Sequence, residues 1–82
     1  MTYIKLMNCG EEVGRIYNGT AKEGRSKAWH LIKSVNDLIT IYSNSKKIGF
    51  VVREQMGIRR YHSESTGKWY YLYPDGSIKG CA

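Results

Sequence analysis

The sequence is short of the features that mark membrane and secreted proteins. Its apolar runs are only a few residues long, whereas a membrane-spanning helix needs about 20 apolar residues in succession. Residues 1–7 lack a basic start followed by an apolar stretch, so no secretory signal is predicted. We therefore expect a cytoplasmic protein without membrane contact, located in the host cytoplasm if a virus encodes it.

The usual signatures of enzymes and metal sites are also missing. No GxxxxGK[ST] phosphate-binding loop occurs, and no Ser/His/Asp or Cys/His arrangement can be argued from spacing. The possible metal ligands do not form close pairs such as CxxC, which zinc sites use. These possible ligands are Cys9, His30, His62 and Cys81. An RNase-like site with His30, His62 and a lysine, or an acid–base pair of His62 with Glu64, is a weaker interpretation than structural histidines. We predict a non-enzymatic protein with no catalytic residues, no metal and no cofactor.

Cysteine is scarce, and its two copies, Cys9 and Cys81, stand near opposite ends of the chain. A disulfide between them would close a long loop and stabilise the fold by roughly 2–4 kcal/mol. A reducing cytoplasm favours free thiols, and this is the state that we expect.

Positive charge and tyrosine are what the sequence contains in excess. Its 82 residues are 41% apolar and 12% aromatic, which predicts one small folded domain over residues 1–82 with a small core. The 13 Lys and Arg residues outnumber 7 Asp and Glu residues, so the formal net charge is +6. Such a balance favours polyanionic partners, although it can also serve solubility alone. The seven Tyr and two Trp residues suit half-buried sheets and binding surfaces alike.

Residues 20–35 carry the one convincing helical signature. Thr20 followed by Glu23 fits a capping box, and small or apolar residues then recur at helical spacing. These recurring residues are Ala21, Gly24, Ala28, Leu31, Ile32 and Val35. Gly24 on this face indicates either a close backbone approach or a frayed first turn.

The rest of the chain is typical of short strands separated by turns. Strands are predicted at residues 2–8, 13–18, 37–43, 48–54, 58–63 and 68–73, with a short last strand or tail at 77–80. Because the later turns are short, consecutive strands should be antiparallel neighbours. The predicted fold class is α+β: a twisted antiparallel sheet of about five to six strands, in ββ-α-ββββ order, with one helix packed on a face. One alternative stays open, in which the helix continues through Leu38 and Ile39 to Tyr42, since these residues also fit helical spacing.

The segment 59–73 is the most suggestive of function. Alternate side chains on neighbouring strands share a face, so an outer face with aromatic and cationic side chains results whichever set is buried. We predict that the cations contact phosphates and that the rings stack on bases. The candidate binding residues are Lys46, Lys47, Arg53, Arg59, Arg60, Tyr61, Lys68, Trp69 and Tyr71, of which Tyr61, Trp69 and Tyr71 are the stacking rings. Two other interpretations stay open: aromatic pairs that only stabilise the sheet, and a protein-binding surface.

The same region also resembles a known repeat. The run Gly67-Lys68-Trp69-Tyr70-Tyr71-Leu72, followed by Asp75-Gly76-Ser77-Ile78 and Gly80, is similar to one choline-binding, cell-wall-anchoring repeat. That family uses tandem copies, because one hairpin does not complete its aromatic ligand site. The single copy here implies a similar hairpin and no choline-binding function.

Charge and aromatic content lead to two functional hypotheses. The first is a small basic protein that engages nucleic acid or a nucleic-acid-bearing complex through a Lys/Arg plus Tyr/Trp sheet face. The alternative is a virus- or mobile-element-encoded inhibitor of a host defence nuclease, comparable in size and composition to anti-CRISPR proteins. Such an inhibitor would act by protein–protein contact with an acidic or RNA-bearing complex. The oligomeric state is left open.

Overall fold

Apolar residues that alternate with polar ones produce the strands, and one sheet brings them together. The structure is a computed structural model that describes residues 2–80. Its strands are β1 (Tyr3–Asn8), β2 (Glu11–Tyr17), β3 (Leu38–Ser43), β4 (Lys46–Arg53), β5 (Arg59–Ser63), β6 (Trp69–Leu72) and β7 (Ile78–Gly80). Helix α1 (Ala21–Leu31) lies between β2 and β3, and one turn of 3-10 helix (Gln55–Gly57) lies between β4 and β5.

The sheet is antiparallel throughout, with the strand order β2-β1-β3-β4-β5-β6-β7. β1 and β2 form a hairpin, and α1 then carries the chain across the sheet so that β3 pairs with β1. From β4 onward each strand pairs with the one before it. β2 and β7 are therefore the two edges.

The predicted α+β class, with one helix and an antiparallel sheet, is confirmed, but the predicted number of strands is too low. The sheet has seven strands in ββ-α-βββββ order. The difference arises at residues 77–80, expected to be a short last strand or tail, where β7 pairs with β6. The alternative of a helix that continues to Tyr42 is wrong, because Leu38–Ser43 pairs with both β1 and β4.

Helix α1 begins where the sequence predicts. Thr20 is the N-cap, and its hydroxyl accepts a hydrogen bond from the Glu23 amide at 3.1 Å. The Glu23 carboxylate accepts the Thr20 amide in return, at 2.8 Å. The capping box thus satisfies two amides that the first helical turn leaves without partners.

The helix ends at Leu31, before the predicted limit at Val35. Ile32 already has an extended backbone, with φ −77° and ψ 122°. Asp37 then accepts the amides of Lys33 and Ser34 at 3.1 and 3.0 Å, and these hydrogen bonds hold its pKa below the ordinary value. The carboxylate therefore offers the backbone an alternative to another helical turn.

The core lies between α1 and one face of the sheet. Its buried residues are Ile4, Leu6, Ala28, Ile32, Ile39, Ile41, Val51, Tyr61 and Leu72. Gly24 is buried as well, and a Cβ placed on it would lie 2.7 Å from Ile4 Cγ2. The small residue lets the helix approach β1 closely, which agrees with the first of the two interpretations of Gly24.

The helix covers only part of one face. It packs mainly on β1, β2, β3 and β4. Within residues 2–80 no second layer of helix or sheet lies on the opposite face. In the same part of the chain, no helix has the length and apolar character needed to cross a membrane.

Candidate functional site

The register of the strands sorts the side chains into two faces. Ile39, Val51 and Tyr61 stand opposite one another across β3, β4 and β5, and all three are buried beneath the helix layer. Since successive side chains on a strand point to opposite faces, their neighbours lie on the uncovered side. We call this side the open face. It comprises Tyr3, Lys5, Met7, Glu12, Arg15, Tyr17, Leu38, Thr40, Tyr42, Lys47, Phe50, Val52, Arg60, His62, Trp69, Tyr71 and Lys79.

An aromatic cluster occupies the middle strands of the open face. The rings of Phe50 and His62 are stacked, with centroids 5.1 Å apart and an interplanar angle of 23°. Trp69 stands edge-on to both, at 5.5 Å from Phe50 and 5.0 Å from His62. Trp69 and the nearby Tyr71 are each 38% exposed, so both keep ring surface available to a ligand.

Cationic side chains lie over aromatic rings across the whole width of the open face. Lys5 Nζ is 5.2 Å from the centre of the Tyr42 ring, and Lys47 Nζ is 5.4 Å from that of Phe50. Two arginines repeat the arrangement: Arg60 Cζ lies 5.6 Å from the Tyr71 ring, and Arg15 Cζ lies 4.8 Å from the Tyr3 ring. Positive charge and flat apolar surface are therefore adjacent at four places on the sheet.

Carboxylates at the margin partly balance this charge. Arg15 pairs with Glu12 at 2.7 Å, Lys47 pairs with Glu64 at 3.2 Å, and Arg60 pairs with Glu54. The hydrogen bond from Arg15 lowers the pKa of Glu12. Exposed pairs of this kind are worth only about 0.2–1 kcal/mol, so a phosphate can displace the carboxylate at little cost. Lys5 and Lys79 form no ion pair within residues 2–80.

The structure brings four of the nine candidate residues together on the open face: Lys47, Arg60, Trp69 and Tyr71. Lys46 and Lys68 are exposed near the turns that close the β3–β4 and β5–β6 hairpins. Lys46 also lines a cleft of about 620 Å³ on the helix side of the sheet. These two lysines can extend a basic margin but do not lie among the open-face rings.

The other three candidates, Tyr61, Arg59 and Arg53, lie on the helix side of the sheet, on the opposite face from Trp69 and Tyr71. Tyr61 is only 3% exposed and donates its hydroxyl hydrogen to the Ile48 carbonyl at 3.0 Å, so its ring is not available for stacking. Burial raises the pKa of this phenol. The guanidinium of Arg59 lies over the Trp29 ring at 4.1 Å. Arg53 stands opposite Arg59 in the register.

Several open-face residues escaped the sequence analysis. The alternation around Ile4 and Leu6 already implied that Lys5 points away from the core, because buried positions on a strand recur at every second residue. The pairing of β1 with β3, which places Lys5 opposite Tyr42, joins segments distant in the chain and has no local signal. Lys79 was missed because its segment was not firmly assigned to a strand.

No group of His, Cys, Asp and Glu within residues 2–80 is arranged to hold a metal ion. Cys9 is exposed, and Cys81, its possible disulfide partner, lies outside the described residues.

Comparisons with protein families, with curated proteins and with solved structures found no match for the chain.

Proposed function

We propose that the protein binds single-stranded nucleic acid on the open face and performs no catalysis. The observation that carries the proposal is the repeated placement of a cation over an exposed or half-exposed ring on a sheet face that no second layer covers within residues 2–80. Bases would stack on Trp69 and Tyr71, and each stacked base contributes about 1–3 kcal/mol in proteins of this kind. Lys5, Arg60 and Lys79 would contact the phosphates.

The kind of surface favours single strands over duplexes. Ring faces bind bases that are unstacked and turned outward, whereas a duplex keeps its bases stacked inside. If the imidazole of His62 is counted, six of the seven strands place an aromatic ring on the open face, from Tyr17 on β2 to Tyr71 on β6. A sheet of this width, with strands about 4.8 Å apart, offers an extended path rather than a closed pocket.

A matched pair of charge variants tests the proposal. Lys5→Gln/Lys79→Gln removes two open-face cations that form no ion pair among the described residues, and Lys27→Gln/Lys33→Gln removes two exposed cations from the helix side. Both variants change the net charge equally, so any difference between them reports position. For single-stranded oligonucleotides, log affinity falls with log salt by about 0.7 per phosphate contact. We expect the open-face variant to lower this slope by roughly 1.4, for two lost contacts, and the control to lower it less.

The readout is fluorescence anisotropy of a labelled oligothymidylate, measured at several salt concentrations. Equal slopes for the two double variants would contradict the proposal, because they would show that only total charge matters. Loss of fold is checked separately by the thermal midpoint of each variant.

The alternative function, inhibition of a host defence nuclease by protein contact, uses the same face. Tyr, Trp and Arg are the residue types enriched at interface hot spots, and the open face exposes Trp69, Tyr71 and Arg60 together. A pull-down with and without nuclease treatment separates the two functions. A partner protein that remains after nucleic acid is digested favours the inhibitor.

A further inference from the structure

The turn between β4 and β5 exposes an apolar side chain in an unfavourable backbone conformation. Met56 is 97% exposed and has φ 67°, a left-handed conformation that non-glycine residues rarely adopt. A hydrogen bond from the Glu54 amide to the Ile58 carbonyl, at 2.7 Å, closes the turn around it. The fold thus holds a flexible apolar side chain out in solvent, where it contributes nothing to the core.

Other apolar groups surround a groove beside this turn. Ile58 is 47% exposed and Tyr73 is 43% exposed. Together with Trp29 and Pro74, they line a depression of about 300 Å³. We call Met56, Ile58, Tyr73 and the groove the Met56 end. It lies at the end of the sheet where β4 and β6 stop and β5 and β7 begin.

Two arginines stand next to the Met56 end without a carboxylate. A Cβ placed on Gly57 would lie 3.3 Å from Arg59 Nη1 and 3.8 Å from Arg53 Nη2, so the two guanidinium groups flank this glycine. Neither arginine takes part in the ion pairs found within residues 2–80. In the same part of the chain, the Nε atoms of both are buried without a hydrogen-bond partner. Burial, and then the charge of Arg53, lower the pKa of Arg59, as expected for a cation that lacks an anionic partner.

We propose that the Met56 end docks an acidic peptide segment of a partner protein, with carboxylates on Arg53 and Arg59 and an apolar side chain in the groove. A guanidinium group binds a carboxylate through two parallel hydrogen bonds. Because the Nε of Arg59 is buried, this residue would use the N–H groups of Nη1 and Nη2 that remain beside their hydrogen bonds to the Gly57 and Ile32 carbonyls. Met, Tyr and Trp are residue types enriched at protein interfaces. The groove shares Tyr71 with the open face, but Arg53 and Arg59 lie on the other face of the sheet, and docking at the Met56 end does not depend on nucleic-acid binding at the open face.

The composition of the site also indicates the class of partner. The groove contains the rings of Trp29 and Tyr73, but the guanidinium of Arg59 covers a face of Trp29 at 4.1 Å, and Met56 and Ile58 have no ring. A mixed apolar surface of this kind fits a peptide side chain better than it fits a stack of bases. A second copy of this chain is a poor occupant, because its formal net charge is +6 and like charges would meet. An acidic segment of another protein satisfies both the groove and the arginines.

Titration of the isotope-labelled protein with short synthetic peptides, followed by NMR amide shifts, tests the proposal. The probe is acetyl-Glu-Asp-Leu-Phe-Asp-Glu-amide, and the control peptide has Gln and Asn in place of Glu and Asp. We expect the acidic peptide to shift the amides of residues 53–59, 73, 75 and 76, with little change in β1 and β2. The control peptide should bind at least several-fold more weakly.

Variants assign the contacts. Met56→Ser, at a position that is 97% exposed and therefore outside the core, should weaken binding roughly three-fold or more through lost apolar contact. Arg53→Gln should weaken it roughly two- to five-fold, the range for an exposed charge pair. Lys46→Gln removes the same charge at the opposite end of β4 and should leave binding unchanged within the error.

Three results would overturn the proposal: no shifts with the acidic peptide, equal binding of the control peptide, or unchanged binding of both Met56→Ser and Arg53→Gln. A fourth is an oligothymidylate that shifts the Met56 end as strongly as the acidic peptide does, since nucleic acid would then be the occupant. Oligothymidylate shifts confined to the open face leave this proposal intact, so failure of either surface is recognised separately.

Discussion

At the residue scale, the placement of Tyr61 shows how one small neighbour decides which face an aromatic ring occupies. A Cβ on Gly49 would lie 2.5 Å from Tyr61 Cε1, so the ring of Tyr61 fills the space that the glycine leaves. The hydroxyl reaches the Ile48 carbonyl at 3.0 Å. Tyr61 is therefore a core residue whose hydroxyl group has a hydrogen-bond partner, as is usual for buried tyrosines.

The buried phenol should make stability depend on alkaline pH. The pKa of Tyr61 is raised in the folded state, so its contribution is complete below the unfolded pKa of about 10 and declines as the pH rises above that value. Tyr61→Phe loses the hydrogen bond to Ile48, and we expect roughly 0.5–1.5 kcal/mol lower stability at neutral pH. Above about pH 10, the difference in the free energy of unfolding between wild type and variant should narrow. The reason is that the wild-type phenol must stay protonated in the folded state, which becomes less favourable as the pH rises, whereas the variant has no such group.

Urea unfolding at neutral and alkaline pH measures this gap. Tyr73→Phe is the control, since Tyr73 is 43% exposed and forms no side-chain hydrogen bond within the described residues. A gap that stays constant or widens above pH 10 would show that burial of the phenol is not the cause.

For some strands the sequence alone identifies which side chains point to the core, and for others it does not. In β1 the inward set is evident, because Ile4 and Leu6 alternate with polar or amphipathic residues. In β5 both sets are mixed: Arg59 and Tyr61 form one, and Arg60 and His62 form the other. Hydrophobicity does not separate these sets, and the deciding factor, the space beside Gly49, comes from a neighbouring strand.

At the scale of elements, the start of α1 is the most predictable boundary. The two residues of the capping box, Thr20 and Glu23, both lie within three residues of this boundary in the sequence. Its end depends on Asp37, which lies beyond the helix and also accepts a hydrogen bond from Asn8 at 3.2 Å. That bond joins the loop to β1, so the end of the helix is fixed partly by tertiary structure.

The cap itself should contribute measurably to stability. Thr20→Ala leaves the Glu23 amide without its acceptor, and we expect a loss of about 1 kcal/mol in the free energy of unfolding. Glu23→Gln is the matched control, because glutamine also completes a capping box and should lose less. Urea unfolding of both variants gives the comparison. If Thr20→Ala unfolds like the wild type, the cap is not needed once the helix is packed.

At the scale of the whole molecule, the uneven covering of the sheet is the feature with functional consequence. Helix α1 packs mainly on β1 to β4, on one side of the sheet. The open face therefore keeps aromatic side chains half-exposed, and the sheet brings cations from β1, β4 and β5 beside them. The sequence predicted the aromatic and basic character of residues 59–73, but strand pairing extends the surface to β1 and β2, which local patterns do not reveal.

Binding of labelled single-stranded RNA, single-stranded DNA and duplex DNA, at low and near-physiological salt, tests the central claim most directly. We expect both single strands to bind more tightly than the duplex, with log affinity falling linearly as log salt rises. Trp69→Ala should weaken single-strand binding by roughly 5- to 160-fold, the loss of one stacked base, while Trp69→Phe should retain most of the affinity. Binding that vanishes at near-physiological salt, that favours the duplex, or that is indifferent to Trp69→Ala would contradict the claim.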